Sequence, residues 1–353
     1  MNSKKSYQNP YITVWELTLK CNLKCLHCGS SAGLKRPDEL STKESLQLIK
    51  DLSDLNFGGI ALMGGEIFLR NDWLRISKEI KDLGMVLSII TNGFFEPKKY
   101  ISELVKLDVD SILIGFDGAS AEVQDKIRNV KGSFEKAKAF IHAAKLANLP
   151  VGIITTVHKL NYHELPKLLD FVLEEGIIWQ IQEGTPIGRF PKDFVLSNEE
   201  FYTLGLFIYS MQKKYKTKNF SIVGTHNFGF NSKVIPNLSG YPKWKGCYAG
   251  KTVLGIQSNG NVKGCLALSD DFIEGNIRKR SIKEIWNDPN SFSYNSKFEK
   301  KDLGENCKNC KYNLECKGGC TTRSSSMTGI PHNDPRCFYR IEKELLNVKG
   351  EKP

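Results

Sequence analysis

Nowhere in this chain do eighteen apolar residues follow one another, so no membrane span is expected. An apolar export segment is also missing after the opening residues Met1 to Lys5, which argues against secretion and against a disulfide framework. Internal repeats and low-complexity stretches are absent. Cysteine is absent between Cys28 and Cys247, so the ten cysteines fall into two sets, expected to lie in different structural units. Without a targeting segment, reduced thiols in that number fit the cytoplasm.

What is present is ordinary for a globular protein. The 353 residues are 40% hydrophobic and 25% charged, enough to bury a sizeable core in one or two domains. The formal charge of +11 can attract nucleic acid or an acidic peptide. Its densest tract, from Lys213 to Lys218, contains a single aromatic and no binding motif. That tract reads as a solvated helix end, and no nucleic-acid partner is expected.

The first 190 residues alternate short apolar runs with amphipathic ones. Strand-like runs cover 13–19, 59–63, 86–91, 111–116, 151–157 and 177–182, with helical patterns over 42–56, 72–83, 97–107, 133–148 and 162–175. Ser41 with Glu44 forms a capping box before the first helix. Six strands separated by helices predict a parallel sheet with right-handed crossovers. A further amphipathic helix is expected over 197–215, then an irregular bridge from 219 to 246. A hairpin is predicted around Ser258 to Asn261.

The cysteine spacings carry the chemistry. Cys21, Cys25 and Cys28 form C-x3-C-x2-C directly after the first strand. Three such thiolates can hold three irons of a 4Fe–4S cube and leave the fourth open to a cofactor. The distal set is Cys247, Cys265, Cys307, Cys310, Cys316, Cys320 and Cys337. Taken alone, either set also suits structural zinc. Gly64-Gly65-Glu66 follows the second strand, so it and the first loop share the C-terminal mouth where barrel active sites collect.

With these motifs in this order, the sequence resembles a radical S-adenosylmethionine (radical SAM) enzyme carrying a SPASM extension, over residues from about 13 to 340. All seven distal cysteines match the extension's pattern. The resemblance implies an α/β fold: a partial (β/α)6 TIM-like barrel over 13–196, a helix and bridge over 197–246, and a small Cys-rich domain over 247–340. Tails are expected at 1–12 and 341–353. It further implies that S-adenosylmethionine (SAM) chelates the open iron and is cleaved reductively to a 5′-deoxyadenosyl radical. Two auxiliary clusters are implied, making three 4Fe–4S clusters. Cys247, Cys265 and Cys320 would hold the first, and Cys307, Cys310, Cys316 and Cys337 the second.

For the cofactor, the resemblance points to Gly64, Gly65 and Glu66 at the SAM methionine, and to His27 against adenine. Asp117 lies in a segment that often carries a SAM-binding serine; that serine is Gly115 here. Ile67 replaces the proline that usually follows the Gly-Gly-Glu. Asn92, with Thr91 and Gly93, and the pair Thr155-Thr156 end their strands at the same mouth, either lining it or capping the strands. Tyr241 stands where fully ligated relatives carry an extra cysteine, so the resemblance implies an open iron, a non-cysteine ligand or a substrate thiolate at the fourth site of the first auxiliary cluster. Trp244, Tyr248 and Phe338 would screen that cluster.

SPASM enzymes mostly act on peptides or proteins. The sulfatase-maturing branch carries an aspartate after the second cysteine of the module, where Leu266 stands here, so formylglycine formation is disfavoured. A ribosomally made peptide is the expected substrate, with a thioether, a carbon–carbon cross-link or an epimerised centre as product. Modification of a cofactor or haem side chain is the alternative enzyme reading, and an iron–sulfur electron carrier the non-enzymatic one. A flavodoxin or ferredoxin is expected as reductant. Only about twenty residues precede Cys21, so leader recognition is expected to fall to the barrel or to a separate leader-binding protein.

Overall fold

The computed structural model describes residues 11–216, 221–225, 228, 231–235, 238–239 and 244–347. Ten strands form among them: β1 (Ile12–Thr18), β2 (Gly59–Gly64), β3 (Val86–Thr91), β4 (Ser111–Gly115), β5 (Val151–Val157), β6 (Ile178–Glu183), β7 (Ile222–Gly224), β8 (Val253–Ile256), β9 (Asn261–Lys263) and β10 (Gly275–Asn276). The six expected strand runs all appear, with helices between them, and the architecture is α/β with a largely parallel sheet. Among the described residues no helix is long and apolar enough to cross a membrane.

Two helix ends fall short of the amphipathic pattern for the same reason. The helix Thr42–Asp54 stops before Asn56, at φ 60°, and Ser133–Leu146 stops before Asn148, at φ 55°. Asparagine tolerates the left-handed region and so ends a helix where the apolar period alone would extend it. The pattern over 162–175 opens as a 3-10 turn, Tyr162–Glu164, and becomes the helix Leu165–Glu175 with Pro166 in its first turn. The expected box at Ser41 and Glu44 is present, with Ser41 N–H donating to Glu44 at 2.8 Å. Similar boxes start Asn198–Lys214 and Ile282–Asn287, and losing such a cap typically costs about 1 kcal/mol. Among the first 190 residues one helix, Ala121–Arg128, has no counterpart in the sequence reading, and neither do the short helices from Ile282 onward.

The chain divides into two compact units built from interleaved stretches. The first comprises residues through Ile153, Ile187–Arg189 and Tyr248–Lys297. Within it β1, β2, β3 and β4 pair in parallel in that order, and Ile112 N–H reaches the Pro150 carbonyl at 2.8 Å as β5 begins. On the other edge of β1, β8 pairs in parallel from Ile12–Val253 to Trp15–Ile256. The hairpin partner β9 and then β10 follow, antiparallel. The hairpin was expected within a separate domain. Instead the open edge of β1 supplies it with a partner, and the segment bearing Cys265 belongs to the same unit as Cys21, Cys25 and Cys28. Leu17, Leu62, Ile89, Ile112 and Ile114, all fully buried, form this unit's core with Leu48, Ile49 and Leu52 of the first helix.

The second unit comprises Ile154–Pro186, Phe190–Cys247 and the chain from Phe298 onward. In it β6 pairs in parallel with β7, and the helix Asn198–Lys214 buries Phe201, Leu204 and Ile208. Phe201 stacks on Phe338 at 4.9 Å, and a Cβ on Gly205 would lie 2.4 Å from the Phe338 ring. The Cys-rich segment contains only short helices, Asn313–Cys316 and Thr321–Thr328, before Phe338–Asn347. That last helix runs into the stretch expected as a tail.

Candidate functional site

In the first unit the Cys21–Cys28 loop is clamped by the turn after β2. Gly65 N–H donates to the Thr18 carbonyl at 2.7 Å and Glu66 N–H to the Lys20 carbonyl at 2.8 Å. Gly64 sits at φ 144°, and a Cβ there would lie 2.3 Å from the Thr18 oxygen; one on Gly65 would lie 2.2 Å from the Lys20 oxygen. Only glycine permits this approach of two backbones.

The Glu66 carboxylate is fully buried and already engaged. It accepts from Phe68 N–H at 3.3 Å, from the Thr91 hydroxyl at 2.9 Å and from Asn92 N–H at 2.8 Å. Burial pushes its pKa up to about 7, against the pull of those donors. Glu66 therefore ties the turn to the end of β3. Asn92 continues the chain of contacts, its side-chain amide giving to Asn22 at 2.8 Å and lying 3.8 Å from the Cys21 sulfur.

Around Cys25 the structure gathers Asp117, His27 and a residue the sequence reading missed, Arg128. The Arg128 guanidinium pairs with Asp117 at 2.6 Å and lies 3.9 Å from the Cys25 sulfur. His27 Nε2 stands 3.4 Å from the same Asp117 carboxylate. A Cβ on Gly115 would fall 2.4 Å from the guanidinium. The space left by the missing serine is therefore occupied by Arg128. A second missed element is Ile187-Gly188-Arg189. Arg189 N–H donates to the Cys28 carbonyl at 3.0 Å, and its side chain donates to the Ala32 carbonyl at 2.7 Å. Gly188, at φ 58°, packs on the backbone of Cys28 and Gly29.

Thiolate donors and their hydrogen bonds are what an iron–sulfur cube requires. Leu23 N–H points at the Cys21 sulfur (3.4 Å) and Ala32 N–H at that of Cys28 (3.3 Å), so each thiol of the loop has an N–H donor directed at it. Burial raises Cys21 to about 11 and also raises Cys25, so ligation displaces protons. The donor set fits a cube. Among the described residues no three His, Cys, Asp or Glu side chains close on a single-ion site.

In the second unit Cys316 and Cys320 form a small buried cluster with Trp244 and Tyr312 packed on it, and Trp244 Nε1 donates to the Cys316 carbonyl at 3.2 Å. Gly318 and Gly319, at φ 77° and 82°, turn the chain between the two cysteines, against His332 and Asp334. Burial pushes Cys307 up to about 12 and Cys337 up to about 11. The Asp334 charge adds most to both, with Cys337 and Cys310 adding to the first and Cys310 to the second. Cys316 is raised by burial and then by Cys337, whereas Cys320 is raised by burial and then by Cys247. Asp334 faces Cys307, Cys316, Cys320 and Cys337 alike, and Cys247 stands beside Cys320. Tyr241 lies outside the described residues. Thr155 and Thr156 are engaged by their neighbours, Thr155 accepting from Trp179 at 2.8 Å and Thr156 from Gln182 at 2.7 Å.

Comparison with known proteins matches residues 15–172 to the radical SAM superfamily and residues 247–311 to the SPASM iron–sulfur cluster-binding domain. The chain is 29% identical to an AdoMet-dependent heme synthase of Methanosarcina barkeri, covering 95% of this chain and 98% of that protein. It is 27% identical to the mycofactocin maturase MftC of Mycobacterium tuberculosis, covering 96% and 85%. Among solved structures, Streptococcus suis SuiB bound to S-adenosylmethionine superposes with a TM-score of 0.74 at 17% identity, over 92% of this chain and 76% of that one. These likenesses agree with the expected partial barrel followed by a Cys-rich domain. This chain is a radical SAM superfamily enzyme with a SPASM iron–sulfur domain.

Proposed function

We propose that the enzyme removes a hydrogen atom from a ribosomally made peptide, the product being a thioether, a carbon–carbon cross-link or an epimerised centre. When bound, the cluster and S-adenosylmethionine supply the 5′-deoxyadenosyl radical that does this. In this reading Cys21, Cys25 and Cys28 are the ligands of that cluster. The Gly64 and Gly65 carbonyls, beside the engaged Glu66, receive the SAM ammonium, and His27, Asn92 and Asp117 form the wall around it. The cross-linking and thioether products require the substrate radical to lose one further electron and a proton. Cys247, Cys265 and Cys320 would hold one auxiliary cluster and Cys307, Cys310, Cys316 and Cys337 the other, and such clusters would supply the acceptor for that electron. A flavodoxin or ferredoxin supplies the initiating electron, the barrel itself or a separate protein recognises the leader, and the setting is an anoxic cytoplasm.

The observation that carries the enzymatic part is the contact chain Cys21–Asn92–Glu66, which joins the cysteine loop to the Gly-Gly-Glu turn. The peptide substrate is supported by the likeness to mycofactocin maturase. A second reading, modification of iron-tetrapyrrole side chains, is favoured by end-to-end likeness to the heme synthase. Similarity to the Fe-coproporphyrin III synthase of M. barkeri, at 26% identity over 94% of this chain, points the same way.

Anaerobic, reduced protein with SAM should release 5′-deoxyadenosine, and more of it with the true substrate. Two candidates separate the readings: short Cys- or Gly-rich peptides encoded beside the gene, and iron coproporphyrin III. A peptide mass change supports the first reading. A changed porphyrin with untouched peptides replaces it with the second. No 5′-deoxyadenosine with either, after prolonged incubation, leaves the electron carrier.

A further inference from the structure

The second unit buries a quartet of charges that the chemistry above does not use. Glu183 ends β6, Arg323 lies in the helix Thr321–Thr328, and Asp334 and Arg336 precede Cys337. Their side chains are 1%, 1%, 2% and 8% exposed. Arg323 gives Nε and Nη2 to the two oxygens of Asp334, both at 2.8 Å, and Nη1 to Glu183 at 2.7 Å. Arg336 Nε lies 3.4 Å from the other Glu183 oxygen. Two acids and two bases make the quartet neutral.

Burying four charges brings little net stability over an apolar core of the same volume, so stability alone is a weak explanation. The place of Asp334 suggests another. One of its oxygens accepts the backbone N–H of Cys320 at 2.9 Å, and the other accepts that of Arg336 at 2.9 Å. Arg336 is bonded to Cys337. A single carboxylate thus joins Cys320 to the peptide bearing Cys337, two cysteines that the proposed function assigns to different clusters.

We propose that this quartet sets the reduction potentials of the clusters held through Cys320 and Cys337 together, with Asp334 as the positioning residue that links them. The inference rests on the reading that the distal cysteines hold iron–sulfur clusters. One-electron reduction adds negative charge to a cluster, so nearby charge and hydrogen bonds to its ligands fix its potential. Removing a buried negative charge eases reduction, and removing a positive one opposes it. The quartet therefore predicts opposite signs from its two halves, which a purely mechanical clamp does not.

The test is a redox titration of the anaerobically reconstituted full chain, followed by electron paramagnetic resonance. The auxiliary signals are those that do not change when SAM is added. In Glu183→Gln the auxiliary midpoints should move positive, with about a tenfold rise in the reduced-to-oxidised ratio at fixed potential, about 59 mV for one electron. In Arg336→Met they should move negative. Glu183→Asp, which keeps the charge, should restore the wild-type values and guards against a folding artefact. Unchanged midpoints, or shifts of the same sign in the Gln and Met variants with iron content intact, overturn the proposal and leave the cluster reading standing. Wild-type protein with iron for one cluster and no auxiliary signal overturns both, and is told apart because it arises before any substitution.

Discussion

The two cysteine regions are held in place by different means. The loop from Cys21 to Cys28 hangs on the ends of parallel strands whose cores are fully buried, and backbone bonds to Thr18, Lys20 and Gly33 fix its path. The segment from Cys307 to Cys337 has helices of four and eight residues, a glycine pair at its turn and the charge quartet. Its buried thiols, Cys316 and Cys320, are themselves the core, with Trp244 and Tyr312 against them. A site on strand ends is pre-shaped by the fold. A site whose core is its own ligands depends on what they bind.

Replacing one cysteine in each region puts the largest effect on that contrast. Cys28→Ala should abolish release of 5′-deoxyadenosine, because two thiolates cannot hold the cube with one iron open to SAM. Cys316→Ala should still cleave SAM at a reduced rate while product disappears. Circular dichroism and elution volume should accompany both, since the distal segment loses folding energy with its ligand. Full product from a folded Cys316→Ala protein would make the second auxiliary cluster purely structural.

Arg323→Met should follow in size. It leaves Asp334 and Glu183 buried without their shared cation, a loss of about 3–5 kcal/mol on the scale of broken buried ion pairs. Denaturant midpoints for the distal segment, followed by Trp244 fluorescence, read it. A loss below 1 kcal/mol would mean that water replaces the guanidinium and that the quartet is not sealed.

How far all this was legible in the sequence depends on the distance between the cooperating residues. The six strands declare themselves in runs of five to seven residues, and the cysteine spacings in runs of eight to fourteen. Arg128 does not. Its helix, Ala121–Arg128, carries Glu122, Gln124, Asp125 and Lys126, which mask its apolar period. Its inward turn depends on Gly115, thirteen residues earlier. Glu183, Arg323 and Asp334 are scattered along the chain, and charged residues read as surface by default. The pairing of β8 with β1 joins residues some 240 apart, which no local pattern announces. The one signal available for Arg128 was the departure at Gly115: a lost side chain at a site is space that something else fills.

That substitution can be reversed. Gly115→Ser puts the missing serine back, but its Cβ would meet Arg128 at 2.4 Å, and the guanidinium is tied to Asp117. The variant should bind SAM more weakly by about 1–3 kcal/mol, the range for overpacking a filled site. Calorimetry or the SAM-induced spectral change measures it. Tighter binding would show that Arg128 moves aside freely and that the serine role is still open.

Glu66 gives a pH dependence to the strand-end site. Its folded pKa, about 7, lies above the ordinary value of 4.5, so the folded protein retains a proton that the unfolded chain releases. Stability from this group is complete below about 4.5 and is lost as pH rises through 7, at up to about 1.4 kcal/mol per pH unit. Melting temperature should fall across pH 5.5–7.5 in wild type and fall less in Glu66→Gln. Equal slopes would mean that the hydrogen bonds from Thr91, Asn92 and Phe68 keep the carboxylate ionised throughout.

The smallest effect belongs to the exposed contact that joins the hairpin segment to the first helix. Arg278 gives Nε to Glu44 at 2.5 Å and Nη2 at 3.0 Å, and it caps the Asp38 carbonyl at 2.9 Å. The pair holds Glu44 down at about 2, so its contribution is present above the ordinary carboxylate value of 4.5 and fades as pH falls toward 2. About a third of each side chain is open to water, so solvent and salt screen most of that attraction. Arg278→Ala should therefore cost less than about 1 kcal/mol at low salt and almost nothing at high salt. Denaturation midpoints at two ionic strengths measure it. A salt-independent loss of 2 kcal/mol or more would assign the work to the bond with the Asp38 carbonyl. The hairpin segment would then be fastened to the strand-end site by backbone capping, the same means that holds the first cysteine loop.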